Sequence, residues 1–284
     1  MIGIVLVLLL VFLFGVYFLN FKEPFTEYKK RKVVFLFSGN ARTFPFNQEP
    51  SKRSAAILES YNKYLFTESF KQNYHYEIYI TTDNLHLEDT IRYFSENHIK
   101  NIHLLNNDYY LTTNSDTKNI EYYLNKYNEK DWSQHDKHEG SIHQHYKILD
   151  CYQMAKKDNH NSDYIVRARM DTEMTKDLQE LITMLDTSEL EIVIDGDLFA
   201  IGSPDIMEWY CTGLENNYGN YHYNIPVPET LPVMNDYGRE DKKRWTYAAE
   251  RQLFEMLYDY CHQRKLDINK TIVNTPICVI KREP

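Results

Sequence analysis

Residues Tyr164 to Glu173 read "YIVRARMDTE", an apolar strand pattern that carries two arginines and ends in two carboxylates. In an extended segment alternate side chains share a face, so Arg167, Arg169 and Asp171 point one way and Val166, Ala168 and Met170 the other. A guanidinium keeps its proton in any protein environment, and burying one without an anionic partner costs on the order of several kcal/mol. Two of them on one face therefore call for carboxylates or phosphates opposite. Asp171 and Glu173 stand two residues apart and can converge on one divalent cation. A few carboxylates completed by substrate phosphates is how Mg2+-type ions are usually held. A structural ladder of ion pairs suits the same residues equally well, and the residues alone leave both readings open.

Two further places hold chemistry-bearing side chains. "HDKHEGSIHQH" gathers His135, His138, His143 and His145. Imidazoles bind Zn2+, but this spacing matches no closed zinc site and the stretch holds no cysteine partner, so it reads as a solvated loop running into a helix. "DGDLFAIGSPDIMEWY" begins at Asp195, and Asp-Gly is first of all a turn signal. There is no G-x-G-x-x-G, Walker A, G-x-S-x-G or H-E-x-x-H sequence, which argues against Rossmann redox enzymes, P-loop ATPases, serine hydrolases and zincins.

The elements that must position these residues alternate. Val33 to Phe37 is a continuous apolar run, as in a strand covered on both faces, and Ser38-Gly39-Asn40 breaks it. Helical spacing follows over 54–66, then a strand over Tyr76–Thr82 ending at Asp83, a helix over 87–97 and a strand over 99–105. Residues 106–139 are polar and rich in Tyr and Asn, read as an excursion, and 141–157 read as a helix leading to Tyr164. After a helix over 178–185 come strand, Asp195-Gly196-Asp197 turn and strand, then a helix with Ser203 as N-cap and Pro204 at its first position. Residues 210–244 read as irregular, 247–264 as an amphipathic helix, and 271–280 as the strand that closes the sheet. This order predicts an α/β fold with a mostly parallel Rossmann-type sheet flanked by helices, and ligands of such sheets sit outside the carboxyl ends of the strands.

Ile2 to Leu19 carry no charge and reach the length needed to cross a bilayer, so residues 1–20 are expected to be one N-terminal transmembrane helix in the lipid bilayer. Residues 21–32 read as a basic juxtamembrane tether and 33–284 as the α/β domain. Lys22, Lys29, Lys30, Arg31 and Lys32 follow the apolar run and no basic residue precedes it, a bias that favours a cytosolic C-terminal domain. The net charge of −9 gives no support to a general nucleic-acid binder. Cys151, Cys211, Cys261 and Cys278 are scattered, and suit buried thiols as well as two disulfides.

Taken in order, "FSGNARTF", "IYITTD", "YIVRARMDTE" and "DGDLFAIGSPDIMEWY" resemble the membrane-anchored or polysaccharide-synthesis glycosyltransferases of the GT-A type, from Val33 to the last helix. The resemblance implies a nucleotide-sugar donor, a glycan or glycoconjugate acceptor and a Mn2+ or Mg2+ ion. The ion would bridge the donor diphosphate at a D-x-D-like motif, here Asp171-Thr172-Glu173, with Glu in place of the second Asp. It further implies that Ser38, Gly39 and Arg42 contact the nucleotide and that Asp83 lies near its base or ribose. Arg167 and Arg169 join Arg42 as the cations that would neutralise a departing phosphate. Asp195 or Asp197 would face the acceptor, as a hydroxyl-binding group or as base. Glu250, at the start of the last helix, is the other base candidate, or else an ordinary first-turn acid. Many anchored relatives work in a Golgi- or ER-like lumen, so that orientation stays open beside the cytosolic one. Two other functions fit the residues. One is a catalytically inactive anchored protein that binds glycans or a partner through its 24 tyrosines. The other is a related metal-dependent nucleotidyltransferase.

Overall fold

A computed structural model describes residues 30–39, 52–82, 93–94, 99–104, 120–128, 139–158, 161–216 and 249–279. The expected membrane segment, Arg42, Asp83, His135, His138 and most of the expected helix over 87–97 lie outside them. Among the described residues no helix is long and apolar enough to cross a membrane.

In chain order the elements are β1 (Arg31–Ser38), α1 (Lys52–Tyr64), α2 (Glu68–Asn73), β2 (Tyr74–Thr82), β3 (Ile99–Leu104), α3 (Ile120–Asn128), α4 (Glu139–Lys157), β4 (Tyr164–Ala168) and β5 (Glu173–Met174). They continue with α5 (Leu178–Thr187), β6 (Ile192–Asp195), β7 (Phe199–Gly202), α6 (Pro204–Asn216), α7 (Ala249–Arg264), α8 (Ile268–Thr271), β8 (Ile272–Asn274) and β9 (Cys278–Val279). Seven strands form one sheet in the order β3-β2-β1-β4-β7-β6-β8. Every pairing is parallel except the two made by β7, which runs against β4 and β6. The fold is therefore a mixed α/β one with a mostly parallel sheet.

The continuous apolar run of β1 has the expected cause. Val33, Phe35 and Phe37 pack into one core with residues of α1, α2 and α5, while Val34 and Leu36 pack into another with α4, α6 and α7. Both faces of the strand are dry, so it cannot alternate apolar and polar residues. Local chemistry fixes the helix starts. Thr67 Oγ1 accepts the Phe70 N–H at 3.0 Å to begin α2, and Asp177 accepts the Gln179 N–H at 2.7 Å to begin α5.

Several boundaries differ from the sequence expectation. β1 starts at Arg31, taking in two residues assigned to the tether, because Arg31 is held there by Tyr74, Tyr164 and Asp186. α3 lies inside the stretch read as an excursion; Ile120 and Tyr123 pack against Ile142, Tyr146 and Leu149 of α4. α6 continues to Asn216, its Cys211 and Leu214 buried, where irregular chain was expected. The C-terminal stretch does not form one closing strand. β8 pairs with β6 at the sheet edge, whereas β9 pairs antiparallel with β5 in a separate two-stranded sheet. All four cysteines are buried free thiols.

Gly202 packs β7 against the chain entering β6. A Cβ there would lie 2.6 Å from the Glu191 carbonyl oxygen and 3.0 Å from Ile206 Cγ2. Backbone cannot yield as a flexible side chain can, so Gly202→Ala is expected to destabilise the fold by about 1–3 kcal/mol. Urea unfolding should show a lower midpoint at unchanged slope.

Candidate functional site at the carboxyl ends of the strands

β1 and β4 end side by side, with Phe37 opposite Ala168. Beyond them the strand pattern of "YIVRARMDTE" stops. β4 ends at Ala168, the chain turns at Met170 and Asp171, and Glu173 starts β5 in the other sheet. The turn is closed on the Arg169 carbonyl, which accepts from Tyr61 Oη at 2.8 Å and from Thr172 Oγ1 at 2.9 Å. Asp171 is thus a turn residue rather than the next residue of an extended face. Val166, Ala168 and Met170 do fill the core with α1 and α5 as the alternation requires.

The turn between β6 and β7 reaches the same place. Its Leu198 N–H donates to the Asp195 carbonyl at 2.9 Å, and Gly196 adopts φ +50°, which glycine tolerates best. The Arg169 N–H then donates to the Leu198 carbonyl at 3.0 Å, tying the turn to the end of β4.

Arg169 joins the two acidic residues. Its Nε and Nη2 bond the two oxygens of Asp171, each at 2.9 Å, and its Nη1 reaches Asp197 Oδ2 at 3.4 Å. Burial opposes the charge, but the Asp171 and Asp197 carboxylates outweigh it and hold the guanidinium pKa above its ordinary value. Arg167 is different. None of its surface is exposed; Nε donates to Ser38 Oγ at 3.2 Å, Nη1 donates to the Asp197 carbonyl, and Nη2 has no hydrogen-bond partner. Beside it lies Tyr210 of α6, whose hydroxyl pKa burial raises while the Arg167 charge pulls it back.

α4 supplies the floor. Gln144 Nε2 donates to the Asp197 carboxylate and, at 3.3 Å, to its carbonyl. Two turns further on, the fully buried Asp150 accepts from Thr81 Oγ1 at 2.8 Å. Sequence reading passed over Gln144, Asp150 and Tyr210 because polar residues in a helix usually face water. The signal available was their spacing: Gln144, Lys147 and Asp150 recur every three residues on one side of α4.

The expected site residues therefore separate. Ser38, Gly39, Arg167, Arg169, Asp171 and Asp197 come together; a Cβ on Gly39 (φ +146°) would lie 4.0 Å from Arg169 Cγ. Asp195 instead braces the backbone, where its Oδ2 accepts the Ile277 N–H at 2.6 Å and the Cys278 N–H at 2.8 Å, fastening the segment before β9. Glu173 sits in β5, paired with Val279, and Glu250 in the first turn of α7. Among the described residues no three metal-binding side chains gather.

Two solved structures similar to this chain are glycosyltransferases. Mouse xyloside xylosyltransferase 1, in its apo form, has a TM-score of 0.43 at 10% identity and covers 87% of this chain and 84% of its own. Apo GlyE of Streptococcus pneumoniae TIGR4 has a TM-score of 0.31 at 12% identity; the match spans 87% of this chain and 55% of GlyE. No family model matches the chain, and no curated protein sequence does.

Removing the Asp195 carboxylate leaves two backbone N–H groups without their acceptor. Asp195→Ala is expected to cost about 3 kcal/mol, the scale of bonds to a charged group. Urea unfolding measures the loss, and hydrogen exchange should quicken at Ile277 and Cys278; unchanged exchange at both would refute the structural assignment.

Proposed function

We propose that the protein is a glycosyltransferase that moves a sugar from a nucleotide-sugar to a glycan or glycoconjugate acceptor, anchored to a bilayer through Ile2–Leu19. The observation that carries this reading is the meeting of Asp171 and Asp197, from two different connections, on one guanidinium outside the carboxyl ends of parallel strands. Ligands of such sheets bind there. Ser38 and Gly39 edge the same place, where a glycine lets a ligand approach the backbone closely.

The charges bear on a metal. Arg167 and Arg169 are matched by Asp171 and Asp197, so this cluster has no formal positive charge left for a donor diphosphate. The Asp171 carboxylate is 14% exposed, and each oxygen accepts one Arg169 N–H, leaving lone pairs for a further ligand. Hard carboxylate oxygens suit Mg2+ or Mn2+. In this reading Asp171 would hold the ion together with the donor phosphates, Glu173 standing in β5, and the ion when bound supplies the positive charge that eases departure of the nucleoside diphosphate. Arg169 keeps the Asp171 carboxylate oriented, as hydrogen bonds to metal-binding carboxylates commonly do. Asp197 accepts a hydrogen bond from a sugar hydroxyl. The bidentate Arg169–Asp171 pair favours a second reading, because a closed ion pair suits a catalytically inactive glycan- or partner-binding protein.

Donor hydrolysis and transfer by the full chain, assayed with UDP- and GDP-sugars and Mn2+, decide between them. Asp171→Ala is expected to lower turnover by about 100-fold, the scale of losing a main electrostatic contact. Turnover unchanged in the variant would remove the role given to Asp171. No turnover by a folded wild type would favour the binding protein, and transfer of nucleotide rather than sugar would mark a nucleotidyltransferase.

A further inference from the structure

Asp197 is held more completely than a turn residue needs. Its carbonyl accepts from Arg167 Nη1 and Gln144 Nε2, and its carboxylate accepts from Gln144 Nε2 and Arg169 Nη1. The donors come from the end of β4 and from α4, and between them they hold both the main chain and the side chain of Asp197. The turn itself is already closed by the Leu198–Asp195 bond and tied to β4 through Arg169 N–H. The additional side-chain bonds act on Asp197 alone. Its side chain nevertheless keeps 9% of its surface exposed, whereas Arg167 keeps none.

We infer that Arg167 and Gln144 are positioning residues that act through Asp197 and do not touch substrate. Arg167 commits Nε to Ser38 Oγ and Nη1 to the Asp197 carbonyl and has no exposed surface. Gln144 suits the aiming of a carboxylate: its amide donates to Asp197 without placing a further charge beside it. An acceptor held in place gains its advantage in the transition state, where a small displacement of the contact is felt most. The expected loss is thus in kcat rather than in substrate binding. The inference rests on the glycosyltransferase reading for its kinetic part and on geometry alone for its structural part.

Gln144→Ala, Gln144→Glu and Arg167→Lys test it in the full chain. Hydrogen exchange at the Asp197 and Leu198 amides, compared with β1, is expected to quicken in all three variants, without any ligand. With whichever of UDP-glucose, UDP-galactose, UDP-xylose or GDP-mannose the wild type turns over, kcat should fall by at least about tenfold in Gln144→Ala while donor KM stays within about twofold. Gln144→Glu should fall further, because it sets a like charge against Asp197. Arg167→Lys should retain more kcat than Arg167→Met, since one donor to the carbonyl is kept. Exchange at Asp197 and Leu198 equal to wild type, or a loss confined to KM, overturns the inference. Absence of turnover in wild type overturns the glycosyltransferase reading instead, and the exchange result then decides the positioning by itself.

Discussion

The guanidinium of Arg167 sits at the end of β4 with no exposed surface, and its surroundings follow from a charge that can be neither removed nor hydrated. Burying such a group costs on the order of several kcal/mol. Two bonds from a charged donor return about 1.5–3 kcal/mol each, which roughly offsets the cost. Those bonds come from Ser38 at the end of β1 and from the Asp197 carbonyl in the β6–β7 turn. Both bonds are thus made only while three separate pieces of chain hold one arrangement. That couples the folding of the sheet end to the geometry of the site.

The reversed direction of β7 makes this meeting possible. β4 neighbours β7 and β7 neighbours β6, both antiparallel. Antiparallel neighbours can be joined by a tight turn, whereas parallel ones need a long crossover. The β6–β7 turn therefore emerges at the carboxyl end of β6, the same end at which β4 stops. With a parallel strand in place of β7, Asp197 would have no short route to Arg167 and Arg169. The Asp195 carboxylate then secures the other side of the turn to the chain ahead of β9, and Asn274 Oδ1 accepts the Gly196 N–H at 3.2 Å. One tight turn is bolted to two sheets.

Much of this was legible in the residues. The dry strands β1 and β4, the alternation within "YIVRARM", the Asp-Gly turn and the start of α6 follow from local pattern, because burial on one or both faces imposes its period directly. What was not legible depends on contacts between distant segments. Little near Asp171 signals that the chain leaves the extended path there; the Arg169 carbonyl takes one hydroxyl from the neighbouring Thr172 and another from Tyr61, more than a hundred residues away. Asp195 and Asp197 look alike in "DGD", yet one faces the Ile277 and Cys278 amides and the other faces arginine. The split of the C-terminal stretch between β8 and β9 likewise follows from partners, since both pieces have ordinary strand composition.

The choice of arginine at position 169 also has a physical reason. One planar head makes three contacts: two with Asp171 in a fork and a longer one with Asp197. A lysine ammonium offers a point charge without the fork, and would hold one carboxylate's position while leaving its plane free to rotate. At 24% exposure for Arg169 and 14% for Asp171, water still competes, so the pair's strength is modest and its direction is what it contributes. Arg167, dry and bonded to the β6–β7 turn, helps set where the turn lies; Arg169, at the water's edge, helps set how the two carboxylates face. The site has one cation committed to the fold and one within reach of a ligand.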